Sequence, residues 1–161
     1  MLTSIAALLL APTAADLVCI TDKVPVNERR AAFEEALTGK GGAMREKIAG
    51  LAAGCGKDGG WSAPQVRERE LAALLEIVFP PALDRLEQGR IPQAALRKWF
   101  EAQKAEVRAD PGNHVEALPS LYKALTAAGA TTADIDASAE PIGIVIALLS
   151  SAEKMGYVLR R

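Results

Sequence analysis

Aromatic side chains are scarce in this chain: two tryptophans, two tyrosines and three phenylalanines make up 4% of its 161 residues. A sheet core draws on aromatic and β-branched residues. Here half the residues are apolar and alanine supplies much of that share, which favours closely packed helices. Charge of one sign is lacking too, since 19 basic residues face 20 acidic ones with no long run of either. Nucleic acids and anionic membranes need a basic footprint, so no nucleic-acid partner is expected.

Histidine is nearly absent. His114 stands alone, in the turn-like "NHVE", so Ser-His or Cys-His catalysis would have to use it, and nothing marks a partner. There is no CxxC, HExxH or Glu-x-x-His, and the residue three before His114 is Pro111, which removes a di-iron ligand set. "DIDASAE" offers Asp134, Asp136, Ser138 and Glu140 at calcium-like spacing. It lacks the glycine and distal glutamate of an EF-hand and reads as a helix-capping connector. No carboxylate pair stands in an apolar context that would raise a pKa. No catalytic group, cofactor or metal site is therefore expected, and an enzyme ranks behind a binding protein.

What is present begins at the N-terminus. Ile5–Ala11 is apolar, Pro12 and the small residues Thr13-Ala14-Ala15 follow, and no charge appears before Asp16. Such a stretch is too short to cross a bilayer and reads as a secretory signal cleaved after Ala15, with a single helical domain over 16–161. It departs from the signal pattern in having no Lys or Arg ahead of the apolar core. The alternative is a retained N-terminal helix. Asp16, Leu17 and Val18 lack the small residue that precedes a lipidated cysteine. Cys19 and Cys55, the only cysteines, fit export as one disulfide; in the cytosol they would be two buried small apolar residues. Closing that loop of roughly 37 residues is worth about 4 kcal/mol on the chain-entropy account. The bond would anchor Asp16–Lys23, a segment expected from its length to bury little.

"GCGKDGG", Gly54 to Gly60, has the look of chemistry. Gly54, Gly56 and Gly59 match G-x-G-x-x-G, and Gly56-Lys57 resembles the end of a phosphate loop. A dinucleotide turn needs a strand before its glycines and a helix opening on them. Here a helical stripe, Met44, Ile48, Leu51 and Cys55, precedes them. The phosphate-loop pattern would place its first glycine at Leu51 and its hydroxyl at Asp58. The glycines are therefore expected to stop a helix. Ser62 and Gln65 then form a capping box, with Trp61 stapled onto Val66.

The remaining punctuation predicts helices over Asn27–Thr38, from Ala63 to a kink or break at Pro80-Pro81, over Ala82–Gln88, from Pro92 through Val107, a short one towards Leu118 that restarts after Pro119 and stops near Gly129, and one over Glu140–Arg161. "DPGN", Asp110–Asn113, is a turn, and "TTADIDASAEP" a polar connector. The expected fold is all-α: a compact irregular bundle of about six helices, several interrupted by proline. Ile142, Ile144, Val145, Ile146, Leu148 and Leu149 place the last helix either at the bundle centre or in a homodimer face. Trp61, Trp99, Phe100 and Tyr157 suit a core better than a ligand groove. The function these features favour is an exported, periplasmic or extracellular, non-enzymatic domain that binds a protein or small apolar ligand. The alternative is a cytosolic interaction or regulatory protein with reduced cysteines.

Overall fold

The computed structural model describes residues 12–39 and 42–159. The apolar core of the expected signal, 5–11, and the end of the expected last helix, 160–161, lie outside the described residues. Among the described residues the regular elements are nine α-helices and two short 3-10 turns, with no strand. The helices are α1 Ala14–Thr21, α2 Val26–Leu37, α3 Gly42–Gly59, α4 Ala63–Gln88, α5 Gln93–Glu101, α6 Ala105–Ala109, α7 Leu118–Ala127, α8 Thr132–Ala137 and α9 Ala139–Lys154. The all-α class holds and the count of about six does not. Asp16–Lys23 and the polar connector each hold a helix of their own, and the expected Pro92–Val107 helix is two.

The organising element is α4, which packs against α1, α2, α3, α5 and α9. Pro80 and Pro81 were expected to kink or break it; it does not break there and runs for 26 residues. Proline keeps a helical φ but costs about 3 kcal/mol in a helix interior. Against that, Ile77, Val78, Phe79, Ala82, Leu83 and Leu86 are buried on both sides of the pair. Burying each of the larger side chains contributes roughly 1.5–3 kcal/mol. Burial wins, and the helix continues.

Four helices end in the same way. Trp61, Ile91, Ala130 and Tyr157 donate their amides to the carbonyls of Gly56, Leu86, Leu125 and Ala152. The residue before each donor is left-handed: Gly60 (φ 65°), Arg90 (φ 58°), Gly129 (φ 104°) and Gly156 (φ 63°). This is the Schellman closure, and it turns the donor residue back onto the core. At Gly156 it overrides the expected continuation to Arg161. The tail from Tyr157 to Leu159 leaves the helix with both of those residues buried. The expected Pro92–Val107 helix is cut after Glu101, where the Arg108 guanidinium donates to the Gln103 carbonyl and pairs with Glu153 at 2.8 Å.

Of the six apolar residues singled out in α9, Ile142, Val145, Ile146 and Leu149 are buried within this one chain. Ile144 and Leu148 are half-buried.

Candidate functional site

The cysteine pair lies toward the C-terminal end of α3, and an apolar cleft, one of several of similar size, opens at the N-terminal end of the same helix. The pair is positioned by α1. Thr13 caps this helix, its amide and hydroxyl each donating to Asp16 Oδ2 at 2.7 Å. Those bonds, the amide's first, hold the Asp16 carboxyl below its usual range, and Arg69, 3.6 Å away, adds to the effect. Arg69 in turn lies over the Trp61 ring, 4.6 Å from its centre. Leu17, Ile20 and Val24 form the inward face and are at most 1% exposed. The expectation that this segment buries little is overturned: α1 packs on α3 and α4.

That inward face leaves Cys19 exposed at the edge of α1. Cys55 lies on the buried stripe of α3 with Met44 and Ile48, only 2% exposed. The two sulfurs stand at disulfide distance, 2.01 Å, with Cα atoms 6.1 Å apart. Lys23, just past the end of α1, brings its Nζ to 3.8 Å from Cys19 Sγ and 4.0 Å from Cys55 Sγ. Sequence reading missed Lys23. Its spacing of four from Cys19 was the available signal, legible only once Ala14–Thr21 is known to be a helix that the chain leaves by a turn at Lys23.

The cleft lies between α2, α3, α4 and α9 and has a volume of about 420 Å3. Met44, Leu74, Leu75, Val78, Ile144 and Leu148 line it. Ala32 and Ala36 on α2 keep it open by their small size, and Arg45 and Ser151 are its polar lining. Such a volume falls in the range of small-ligand pockets. Nothing in the sequence announces it, because its walls come from four helices. None of Trp61, Trp99, Phe100 and Tyr157 lines it: Trp99, Phe100 and Tyr157 are buried and Trp61 is half-buried. Trp99 instead donates from its indole to Ser120 Oγ at 2.8 Å.

The segment "GCGKDGG" stops α3 as expected, and does so at its last glycine: the helix continues through Gly59 and turns at left-handed Gly60. The part of Gly56 and Gly59 is close packing. A methyl at Gly56 would meet Val66 Cγ2 at 2.6 Å, and one at Gly59 would meet Trp61 Nε1 at 2.7 Å. Trp61 and Val66 thus pack as a staple over the end of α3, with Ser62 and Gln65 as the capping box.

The remaining polar candidates are engaged locally. His114 Nδ1 is 2.7 Å from Glu116 Oε1, and that hydrogen bond is the first cause of a lowered Glu116 pKa. Asp134 accepts from the Thr131 hydroxyl and amide, while Asp136 accepts from the Tyr122 hydroxyl at 2.6 Å. Ser138 is buried against Gly89. Among the described residues no group of three or more His, Cys, Asp or Glu is placed to hold a metal ion. Nor, among them, is any helix long and apolar enough to cross a membrane. Comparison with family models, with curated proteins and with solved structures finds no match to this chain.

Proposed function

We propose that this chain is an exported, non-enzymatic helical domain that takes a small apolar ligand into the cleft between α2, α3, α4 and α9, with Cys19 and Cys55 joined as a disulfide. The observation that carries the ligand reading is the cleft itself: six large apolar side chains and three alanines around about 420 Å3, with one cation, Arg45, in the lining. An open apolar surface of this kind is stabilised by anything that covers it. Export is supported by the cysteine pair at bonding distance, because such pairs persist in oxidising compartments.

Titration with N-phenyl-1-naphthylamine, an apolar fluorophore, tests the binding. Saturable one-site binding should weaken tenfold or more in Ala36→Trp, which fills the cleft from α2. Unsaturable binding, or binding unaffected by a folded Ala36→Trp, would count against the cleft. A protein partner or a second copy of the chain could instead cover the strip of Ile144 and Leu148 at the cleft. In that event Ala36→Trp would change the mass in solution and leave the fluorophore without effect.

The second reading, a cytosolic protein with residues 1–15 retained, draws support from one observation. Pro12 is buried and Thr13 caps α1, and cleavage after Ala15 would discard both. Intact-mass analysis of protein from its native host separates the two. Loss of 15 residues, with alkylation of two thiols only after reduction, supports export. A full-length chain whose thiols alkylate freely supports the cytosolic reading.

A further inference from the structure

Lys23 holds its ammonium within 4.0 Å of both sulfurs, while the sulfurs differ sharply in access. Cys19 faces solvent and Cys55 is 2% exposed. An attacking thiolate must approach a disulfide sulfur from outside, and the sulfur that departs must carry the negative charge. The first condition selects Cys19 as the sulfur attacked. The second is met at Cys55, since a cation beside a sulfur favours its thiolate over its thiol. We propose that Cys19–Cys55 is a thiol-exchange site, in which a low-molecular-mass thiol couples to Cys19 and Cys55 departs as a thiolate held by Lys23.

The inference rests on the bond proposed above. In the step, the incoming thiol first loses its proton to buffer. Its sulfur then bonds Cys19 Sγ as the Cys19–Cys55 bond breaks, and the electron pair of that bond passes to Cys55 Sγ. The product is a mixed disulfide at Cys19 and a thiolate at Cys55, paired with the Lys23 ammonium. The reverse step restores the original bond and releases the thiol. The open form is expected to keep its fold, because the burial of Leu17, Ile20 and Val24 in the core holds this segment by contacts other than the bond. A structural cross-link needs no cation at its sulfurs; an exchanging one gains from it directly.

Reduced glutathione at stoichiometric amounts is the probe, with the full chain quenched in acid at intervals, alkylated and peptide-mapped. Thiols are first counted in denaturant before any glutathione is added. Two free thiols at that point overturn the bond, and the exchange with it. With the bond present, the expected result is a single adduct on Cys19 and an alkyl group on Cys55. Lys23→Met should slow adduct formation by roughly three- to tenfold, with Lys23→Arg recovering most of the rate. An adduct on Cys55, an even split, no reaction, or no trapped adduct at any time overturns the exchange and leaves the bond standing. So does a Lys23→Met variant of unchanged rate. Thermal melts of Lys23→Met matching the parent separate an effect on the sulfurs from a loss of fold.

Discussion

The Tyr157 hydroxyl donates to Glu76 Oε1 across 2.6 Å, fastening the tail that follows α9 to the middle of α4. The ring is 6% exposed and Glu76 is half-buried, so the phenol serves a carboxylate with limited access to water. Hydrogen bonds to charged groups contribute about 1.5–3 kcal/mol. Tyr157→Phe should therefore lower the urea midpoint by an amount equivalent to about 1–3 kcal/mol with an unchanged slope. A loss within experimental error would mean that water replaces the phenol at no cost.

Ile146 is 7% exposed in the centre of α9, with Val145 and Leu149 buried beside it. Ile146→Asp places a carboxylate among buried apolar side chains, at a cost of several kcal/mol. The expected outcome is loss of the helical circular dichroism signal at 25 °C. A folded variant that runs as a smaller species than the parent would instead place Ile146 in a contact between copies.

Two glycines in one turn of α3 should respond in opposite directions. At Gly54 an added methyl meets nothing within 4 Å, whereas at Gly56 it meets Val66 at 2.6 Å and Trp61 at 3.4 Å. Alanine in an open helical position stabilises by roughly 0.5–1 kcal/mol. Forcing a methyl into packed surroundings costs about 1–3 kcal/mol. Thermal melts of Gly54→Ala and Gly56→Ala should lie on either side of the parent. Equal shifts would show that Val66 and Trp61 move aside freely.

Acid should weaken α8 at its cap. The Asp134 carboxyl is held below its usual 3.8, first by the Thr131 hydroxyl, then by the Thr131 amide, with Arg90 adding to the effect. A carboxyl lowered on folding contributes stability that is complete above its unfolded pKa and is lost as the pH falls through the folded one. Asp134→Ala should therefore lower the melting temperature at neutral pH. The gap from the parent should narrow as the pH drops below about 4. A gap that stays constant to about pH 2.5 would assign the loss to packing instead of charge.

Local rules carried much of this fold. The Ser62–Gln65 box, the turn at Gly129 and the Met44–Cys55 stripe are each written in adjacent or i+3/i+4 residues, and each is where the spacing puts it. Departures from local rules have a common cause. Pro80-Pro81 reads as a kink or break until the burial of Ile77, Phe79 and Leu83 is known. Gly54 and Gly56 have little helix propensity of their own, yet α3 runs through them to its stop at Gly60, with Trp61 and Val66 filling the space above Gly56. In both places tertiary contacts outweigh the intrinsic preference of the residue. The candidate site divides the same way. The cysteine pairing follows from there being two cysteines, one of them on an inward stripe. The cleft is assembled from α2, α3, α4 and α9, and no single segment carries its pattern.

The cysteine link also changes what counts as one chain. Cys19 and Cys55 lie 36 residues apart, with all of α2 and the α2–α3 connection between them. With the bond closed, that stretch is a ring. A protease cutting once between α2 and α3, for instance after Lys40, would open the ring without releasing either piece. Such a molecule would keep its intact size on a non-reducing gel and split into two fragments only when reduced. Exchange at Cys19 would cut the same tether, leaving the nicked halves joined by packing alone. In this fold, the covalent continuity of a nicked chain is set by the thiols around it.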